Sequence, residues 1–229
     1  MKEALRLSLA LGLICLVAAG LLAVADATTR APRAKAANAE RQKALAVVLP
    51  SFDNDPVSDK ATVNWEGGGV TFYRARKGGE IVGFAGEGAS TKGYGGRLDV
   101  LVGLASDGRL GTVLVTAHRE TPGLGTRVTD RQEIKSIWSV FSACPAQGGC
   151  AGDAPRVPPC AYLDQYSIGQ PPFRTADAPF RVKQDGGTVQ AVAGATVSSR
   201  AVAHALSRIA GAFEANRGTL LGAAAPAPK

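Results

Sequence analysis

The pattern of apolar residues divides the chain into a short apolar N-terminal segment and a longer segment of mixed polarity. Residues 7–25 contain no charged side chain and lie between Arg6 and Asp26. A helix of this length, at about 1.5 Å per residue, is long enough to cross a bilayer. A cleavable signal peptide is the alternative, since residues 23–25 are small enough for a cleavage site. The length of the apolar run favours an uncleaved anchor.

Beyond the anchor, the hydropathy pattern changes from helical to alternating. Residues 35–48 carry helix formers and end before Pro50, which predicts a helix leaving the membrane, whereas residues 51–68 are rich in turn formers. Two runs, 70–76 and 81–85, flank Gly78-Gly79 and predict a hairpin. Alternation over 98–104 and 110–116, separated by a turn at 106–108, predicts two further strands.

The C-terminal half combines helical patterns with an irregular stretch. Residues 128–141 predict a helix with one apolar face, and residues 142–180 read as an insertion rich in Cys and Pro. A short strand is expected after Gly187, then a last helix whose apolar face carries Val202, Leu206, Ile209 and Phe213. The expected fold class is α+β, an antiparallel sheet with flanking helices preceded by one transmembrane helix. The expected boundaries are 1–6 (cytoplasmic N-terminus), 7–25 (anchor), 26–49 (juxtamembrane helix or linker), 50–215 (domain) and 216–229 (disordered tail).

Composition and charge limit the classes of partner. The 229-residue chain is 45% hydrophobic, which is sufficient for one folded domain, and its formal net charge is +7. Only 6% of the residues are aromatic and no basic run is interleaved with them, so nucleic-acid binding is not expected. Five basic residues follow the anchor closely and suit an anionic lipid surface: Arg30, Arg33, Lys35, Arg41 and Lys43. Lys2 and Arg6, at the other end of the anchor, favour a cytoplasmic N-terminus.

The cysteines indicate an oxidising compartment. Cys144, Cys150 and Cys160 fall together in the irregular insertion, with uneven spacing and no nearby histidine, which disfavours a zinc site. A disulfide from Cys144 to Cys150 or to Cys160 is the preferred interpretation. Together with the anchor, it predicts that the domain from about residue 35 onward is extracytoplasmic.

Three segments carry candidate chemistry. Residues 193–199, Ala-Gly-Ala-Thr-Val-Ser-Ser, precede the last helix, and the free N–H groups of a helix start suit a phosphate or another anion. Ordinary N-capping is the alternative, with Ser198 as the N-cap residue. The second segment, residues 116–125, ends in Glu-Thr-Pro-Gly-Leu-Gly and predicts a tight loop, and residues 93–96 form another low-bulk segment. No pattern typical of a hydrolase is present in the sequence.

The combination of these segments resembles a known family. A single N-terminal span, then GYGGRLDVLVGLASDGRLGTVLVTAHRETPGLG and DGGTVQAVAGATVSSRAVAHAL, is similar to the G subunit of the Rnf/Rsx electron-transport complex. The likeness to the C subunit of the sodium-translocating NADH:quinone reductase is more distant. A periplasmic binding or scaffold module without flavin is the alternative from another class.

The resemblance implies a covalent FMN, linked by a phosphoester to Thr196 and attached by a separate transferase that uses FAD. It implies an electron-relay subunit without an active site of its own, in an ion-translocating ferredoxin:NAD oxidoreductase of the bacterial inner membrane, with its large domain in the periplasm. The FMN-binding residues that it implies are Thr196, Gly194, Ala195, Ser198, Ser199, Glu120, Thr121, Pro122, Gly123, Leu124, Gly125, Tyr94 and Gly95. The family motif commonly has Asp and Ser or Thr where this chain has Gln190 and Ala193.

Overall fold

The structure is a computed structural model that describes residues 2–131, 158–168 and 173–222. The chain divides into two compact units, one ending at Lys43 and the other beginning at Ala44. Helix α1 (Lys2–Val48) contains all described residues of the first unit and contributes its last residues to the second.

Helix α1 has the character of a membrane span. Its large apolar side chains between Leu9 and Val24 are all more than half exposed. By length and composition the helix can cross a membrane, and no part of its apolar window is buried within the described chain. Pro32 lies inside the helix without ending it.

The second unit is built on a five-stranded antiparallel sheet in which each strand pairs with its neighbour in sequence. The strands are β1 (Lys60–Trp65), β2 (Gly68–Lys77), β3 (Glu80–Gly93), β4 (Gly96–Leu104) and β5 (Leu110–Ala117). The predicted hairpin and the two following strands are therefore confirmed. Strand β1 was not predicted, since it lies within the segment expected to consist of turns.

The remaining helices are short except for the last: α2 (Thr126–Thr129), α3 (Asp164–Ile168) and α4 (Thr196–Gly222). Two 3₁₀ turns, Thr175–Asp177 and Lys183–Asp185, lie between α3 and α4. Arg131 connects the segment around α3 to the sheet: its guanidinium donates hydrogen bonds to the Val113 carbonyl and to the Asp164 carboxylate. This link holds the α3 segment against β5.

Helix α4 packs across one face of the sheet and forms the main core. Phe213 contacts the rings of Phe72 and Phe84, with ring centroids 6.0 and 5.4 Å away. The helix approaches β3 closely, since a Cβ added at Gly86 or Gly88 would lie within 2.7 Å of Ile209. Glycine at these two positions therefore sets the distance of α4 from the sheet.

The opposite face of the sheet is covered by the end of α1. Leu45, Val48 and Leu49 are buried against a cluster that includes Tyr73 and Leu101. The compact unit begins at Ala44, so its boundary lies before the expected one at residue 50. Side chains in the segment expected to be a linker thus belong to the core of the domain.

Three sequence predictions in the C-terminal half differ from the structure. The helix predicted over residues 128–141 is wrong at its start, because α2 ends at Thr129 and Asp130 is extended; residues 132–141 lie outside the described residues. The strand predicted after Gly187 is reduced to one bridge between Val182 and Val189. The disordered tail predicted from residue 216 is wrong for residues 216–222, which continue α4 and bury Leu220.

Candidate functional site

A cavity of about 440 Å³ lies where the β3–β4 turn, the loop after β5 and the start of α4 meet. It is lined by Tyr94, Glu120, Thr121, Leu124, Gly125, Gly194, Ala195, Thr196, Val197 and Ser198. Three segments that are distant in sequence thus form one site, as the candidate motifs suggested. Gly95, Pro122, Gly123 and Ser199 are not among the lining residues, and Val197 lines the cavity without having been predicted.

Hydrogen bonds within the loop after β5 hold it in a tight turn. The Thr121 carbonyl accepts a hydrogen bond from the Gly125 N–H at 3.0 Å, and the Gly123 N–H donates to the Thr126 hydroxyl at 2.9 Å. Gly123 adopts a φ of +78°, which favours glycine. Gly123 therefore shapes the loop rather than facing the cavity.

His118 orients this loop, and sequence reasoning did not assign it that role. Its Nδ1 accepts a hydrogen bond from the Glu120 N–H at 3.3 Å, while its Nε2 lies 2.7 Å from the Asp130 carboxylate. Since Nδ1 acts as an acceptor, the ring carries a proton on Nε2 and donates it to Asp130. The imidazole thus connects the start of the loop to the end of α2.

Glu120 is a buried carboxylate at the wall of the cavity. Glu120 is 6% exposed, and its Oε2 accepts a hydrogen bond of 2.8 Å from the Ser198 hydroxyl. Its Oε1 is buried without a hydrogen-bond partner among the described residues. A buried carboxylate oxygen without a donor is costly, so this atom points to a hydrogen-bond donor supplied by a ligand.

Two glycines make the space for this carboxylate. A Cβ added at Gly93 would lie 2.6 Å from Glu120 Oε1, and one added at Gly125 would lie 2.7 Å from Glu120 Cβ and Oε2. Any larger residue at either position would therefore displace the carboxylate. Gly95 has a different function: a Cβ there would overlap the Arg119 carbonyl oxygen, so Gly95 permits close backbone packing.

The segment before α4 is held by side chains from elsewhere in the fold. Gln165 bonds both backbone groups of Gln190, accepting from its N–H at 2.8 Å and donating to its carbonyl at 3.0 Å. Gly194 then turns the chain with a φ of +80°. Because Gln165 occupies these backbone groups, the predicted strand cannot pair further.

Ser198 and Ser199 lie inside α4, which begins at Thr196, so the prediction that Ser198 is the N-cap residue is wrong. Ser198 instead donates to Glu120. The Ser199 hydroxyl accepts from the Val192 N–H and donates to the Ala195 carbonyl, and the Ser199 carbonyl accepts a 2.6 Å hydrogen bond from buried Tyr162. Both serines therefore fix the start of the helix.

Thr196 differs from the two serines. It is half-buried, lines the cavity, and its hydroxyl has no hydrogen-bond partner within the described ranges. The first backbone hydrogen bond of the helix is donated by Ser199 to Ala195, so the N–H groups of residues 196–198 precede the helical ladder. Thr196 thus presents its hydroxyl beside amide groups, none of which has a partner among the residues that the structure describes.

Three apolar side chains remain exposed around the cavity. Tyr94 is 74% exposed, Leu124 is 51% exposed and Val197 is 44% exposed. They come from the three segments that form the site. Exposed apolar groups converging on one concave site are typical of a ligand-binding surface.

A second groove, of about 710 Å³, lies along α4 and includes His204, Lys92 and Trp65 among its lining residues. The His204 Nδ1 lies 3.2 Å from the Ser90 hydroxyl. Burial, with the positive charges of Lys92 and Arg208, lowers the pKa of His204 below its ordinary value, against a weaker opposite effect of Glu66. His204 is therefore neutral near pH 7.

Cys160 is a buried free thiol whose sulfur lies 3.8 Å from the Val128 carbonyl oxygen. A disulfide from Cys144 to Cys160 is therefore not formed in the structure. Cys144 and Cys150 lie outside the described residues, so a disulfide between them stays a prediction.

Comparison with known proteins identifies similar chains over almost the whole length. Residues 93–210 match the family model of the FMN-binding domain. The chain is 36% identical to the G subunit of the ion-translocating oxidoreductase complex of Pseudomonas aeruginosa, over 96% of this chain and 93% of that protein. The corresponding G subunits of Cereibacter sphaeroides and Stutzerimonas stutzeri are 35% and 32% identical, over 96% and 93% of this chain and 87% and 81% of those proteins.

Proposed function

Because the chain belongs to the FMN-binding domain family and to the family of G subunits of ion-translocating oxidoreductase complexes, we propose that it relays electrons in such a complex through one FMN. FMN supplies the redox chemistry when bound, and the chain supplies its binding, orientation and electrostatic environment. The observation that carries the proposal is the single cavity that joins the loop after β5 to the start of α4.

The residues around the cavity fit FMN in size and chemistry. A volume of about 440 Å³ lies in the range of small-molecule sites. Tyr94, Leu124 and Val197 offer exposed apolar surface for the isoalloxazine ring. The unpartnered Oε1 of Glu120 offers an acceptor for an N–H or O–H group of the flavin.

The FMN is attached covalently, through its phosphate, to the Thr196 hydroxyl. Three features support this site: the hydroxyl is free of partners among the described residues, the two preceding residues are small, and the N–H groups of the first turn lie beside it. The positive end of the helix dipole stabilises a phosphate there. Ser198 is disfavoured as the acceptor because its hydroxyl is buried and donates to Glu120.

Attachment requires a partner that supplies the FMN moiety, and an FAD-dependent transferase acting on the exposed segment before Thr196 fulfils this role. The Thr196 oxygen bonds the FMN phosphorus as the pyrophosphate bond of FAD breaks, and AMP and the hydroxyl proton leave. Ala193 and Gly194 are exposed, which supports access to this segment. The family motif commonly has Asp at the position of Gln190. The backbone of Gln190 is already bound by Gln165, so the transferase recognises this position through the exposed Gln190 side chain.

The domain lies on the periplasmic side of the inner membrane, with α1 as its anchor and the other subunits of the complex as its partners. The exposed apolar surface of α1 supports membrane insertion, and Lys2 and Arg6 before the apolar run support a cytoplasmic N-terminus. A reporter enzyme that is active only in the periplasm, fused after residue 222, should be active. Activity of a cytoplasm-specific reporter at that position would contradict this topology.

The decisive test compares Thr196→Val with the matched variant Thr188→Val after co-production of each full-length chain with the transferase. Thr196→Val keeps the branched shape and removes the hydroxyl, so its band on a denaturing gel should not fluoresce under ultraviolet light. Wild type, Thr188→Val and Thr196→Ser should fluoresce. Peptide mass spectrometry should find the mass of one FMN minus one water on Thr196. Flavin retained in Thr196→Val would show that another residue is the acceptor.

A further inference from the structure

Arg200 and Asp185 form a bidentate ion pair close to the start of α4. The Arg200 Nε donates to Asp185 Oδ2 at 2.7 Å, and its Nη2 donates to Oδ1 at 2.6 Å. Asp185 ends a 3₁₀ turn, and Gly186 follows it in the left-handed conformation with a φ of +79°. The carboxylate is therefore held by a defined turn and fixes the plane of the guanidinium.

The ion pair leaves one edge of the guanidinium unused. An arginine side chain has five N–H donors, and Asp185 accepts from two of them. The other three, on Nη1 and Nη2, have no acceptor in the part of the chain that the structure describes. Hydrogen bonding between the partners raises the pKa of Arg200 and lowers that of Asp185, so both groups stay charged over the neutral range.

Arg200 lies one helical turn after Thr196. Residues i and i+4 are neighbours on a helix surface, with Cβ atoms about 5–6 Å apart. Side chains of a helix lean toward its N-terminus, so an arginine at i+4 extends over the turn that contains residue i. The unused donors of Arg200 are therefore available to an anion carried by Thr196.

We propose that Arg200, oriented by Asp185, binds the phosphate of the FMN at Thr196 through its unused Nη edge. This inference rests on the proposed function, because it takes Thr196 as the attachment site. A phosphate accepts hydrogen bonds from an arginine fork in a paired geometry that a lysine cannot reproduce. Asp185 acts as a positioning residue, since it contacts Arg200 and not the phosphate.

The charges at the site explain why a cation is needed there. Glu120 places a buried carboxylate at the cavity wall, and a phosphate at Thr196 adds a second negative charge. Arg200 and Asp185 line the second groove, beside the flavin cavity and one helical turn from Thr196, and the Arg200 side chain is 47% exposed, so its unused edge is open to a phosphate at Thr196. The phosphate is thereby drawn to the outer side of the helix start, away from Glu120.

The test uses the full-length chain, produced without the transferase and purified in detergent, and compares the binding of FMN with that of riboflavin, which lacks the phosphate. Wild type should bind FMN about tenfold more tightly, as expected for a charge-assisted hydrogen-bond pair. Arg200→Gln should lower this FMN:riboflavin ratio, with the remaining preference due to the N–H groups of the helix start, and should leave the affinity for riboflavin unchanged. Arg200→Lys and Asp185→Asn should give intermediate ratios.

Arg109→Gln is the matched control, since Arg109 forms a comparable exposed ion pair with Asp107 in the β4–β5 turn, and it should keep the wild-type ratio. An FMN:riboflavin ratio near one in wild type, an unchanged ratio in Arg200→Gln, or an equal loss of riboflavin binding in that variant would overturn the proposal. Failure of covalent attachment is a separate result, seen as a wild-type band that does not fluoresce after co-production with the transferase.

Discussion

Ser198 donates a buried hydrogen bond of 2.8 Å to Glu120, a residue 78 positions earlier in the chain. The bond joins the loop after β5 to the first turn of α4, which are two of the three segments that form the cavity. It also satisfies one oxygen of a carboxylate whose other oxygen has no partner among the described residues. The geometry of the flavin site therefore depends on this pair.

Replacing Ser198 by Ala should lower the free energy of unfolding by about 2 kcal/mol, because a hydrogen bond to a buried charge is lost. Urea unfolding of the full-length chain in detergent, followed by tryptophan fluorescence, measures the change. Ser58→Ala is the control, since Ser58 is exposed and bonds only its own turn, and its effect should stay within about 0.5 kcal/mol. Equal effects of the two variants would contradict the structural role of the Ser198–Glu120 bond. Covalent flavin should persist in Ser198→Ala.

The buried ion pairs of Asp59 with Arg74 and Arg76 should be essential for stability. Asp59 is 5% exposed, and each arginine donates to it at 2.7 Å. Asp59→Asn removes the negative charge that both buried guanidinium groups contact and should lower the free energy of unfolding by about 3–5 kcal/mol. Asp107→Asn, which disrupts the exposed pair with Arg109, should cost less than about 1 kcal/mol.

Hydrogen exchange gives a second measurement for the same variant. The Arg74 Nε–H donates to the Leu220 carbonyl at the end of α4, 3.2 Å away. Asp59→Asn should therefore increase amide exchange in residues 216–222 more than in the first turn of the helix. A uniform increase along α4 would argue against this local link.

The Tyr162–Tyr166 pair should make the fold sensitive to alkali. Burial raises the pKa of both phenols above the ordinary value of about 10, and the Tyr162 hydroxyl donates to the Ser199 carbonyl. Above pH 10 the unfolded chain loses these protons while the folded chain keeps them, so stability should fall as the pH rises further. The double variant Tyr162→Phe/Tyr166→Phe should show a weaker fall between about pH 10 and 11. If the free energy of unfolding fell equally with pH in wild type and in the double variant, this explanation would be contradicted.

His204 should respond to its charged neighbours in the second groove. Burial and the charges of Lys92 and Arg208 favour its neutral form, so its pKa, measured by NMR of the imidazole, should lie below the ordinary value of about 6.5. Lys92→Gln should raise that pKa, whereas Lys77→Gln, on a different strand, should leave it unchanged. Because the unfolded chain takes up a proton that folded His204 resists, this group lowers stability as the pH falls below about 6.5. An unchanged pKa in Lys92→Gln would contradict the electrostatic cause.

Local patterns predicted most of the sheet, since the alternating residues of β4 bury Leu98, Val100, Val102 and Leu104 as expected. Strand β1 was missed because it is an edge strand whose polar residues separate half-buried Ala61, Val63 and Trp65. The prediction that Ser198 is the N-cap residue was wrong because Thr196, Ser198 and Ser199 have similar intrinsic preferences for the start of a helix. Only contacts from distant segments decide which of them stays free.

The burial of Glu120 could not be predicted from sequence, since a carboxylate in a glycine-rich loop is ordinarily exposed. Its position depends on the space left by Gly93 and on the hydroxyl of Ser198, both distant in the chain. The Gln165 contact with Gln190 could not be predicted either, because the two residues are also distant in the chain. It replaces strand pairing by a side chain from the irregular segment, for which no periodic pattern exists.

The covering of the sheet by Leu45, Val48 and Leu49 has a practical consequence for work with a water-soluble fragment. A fragment beginning at Pro50 would expose Tyr73 and Leu101 to solvent, leaving an apolar surface prone to self-association. One beginning at Ala44 would retain the apolar cover and omit the lipid-facing part of α1. The last turn of the anchor helix therefore belongs to the core of the flavin domain, and genetic shortening of that turn would destabilise the domain even if the membrane-spanning part stayed intact.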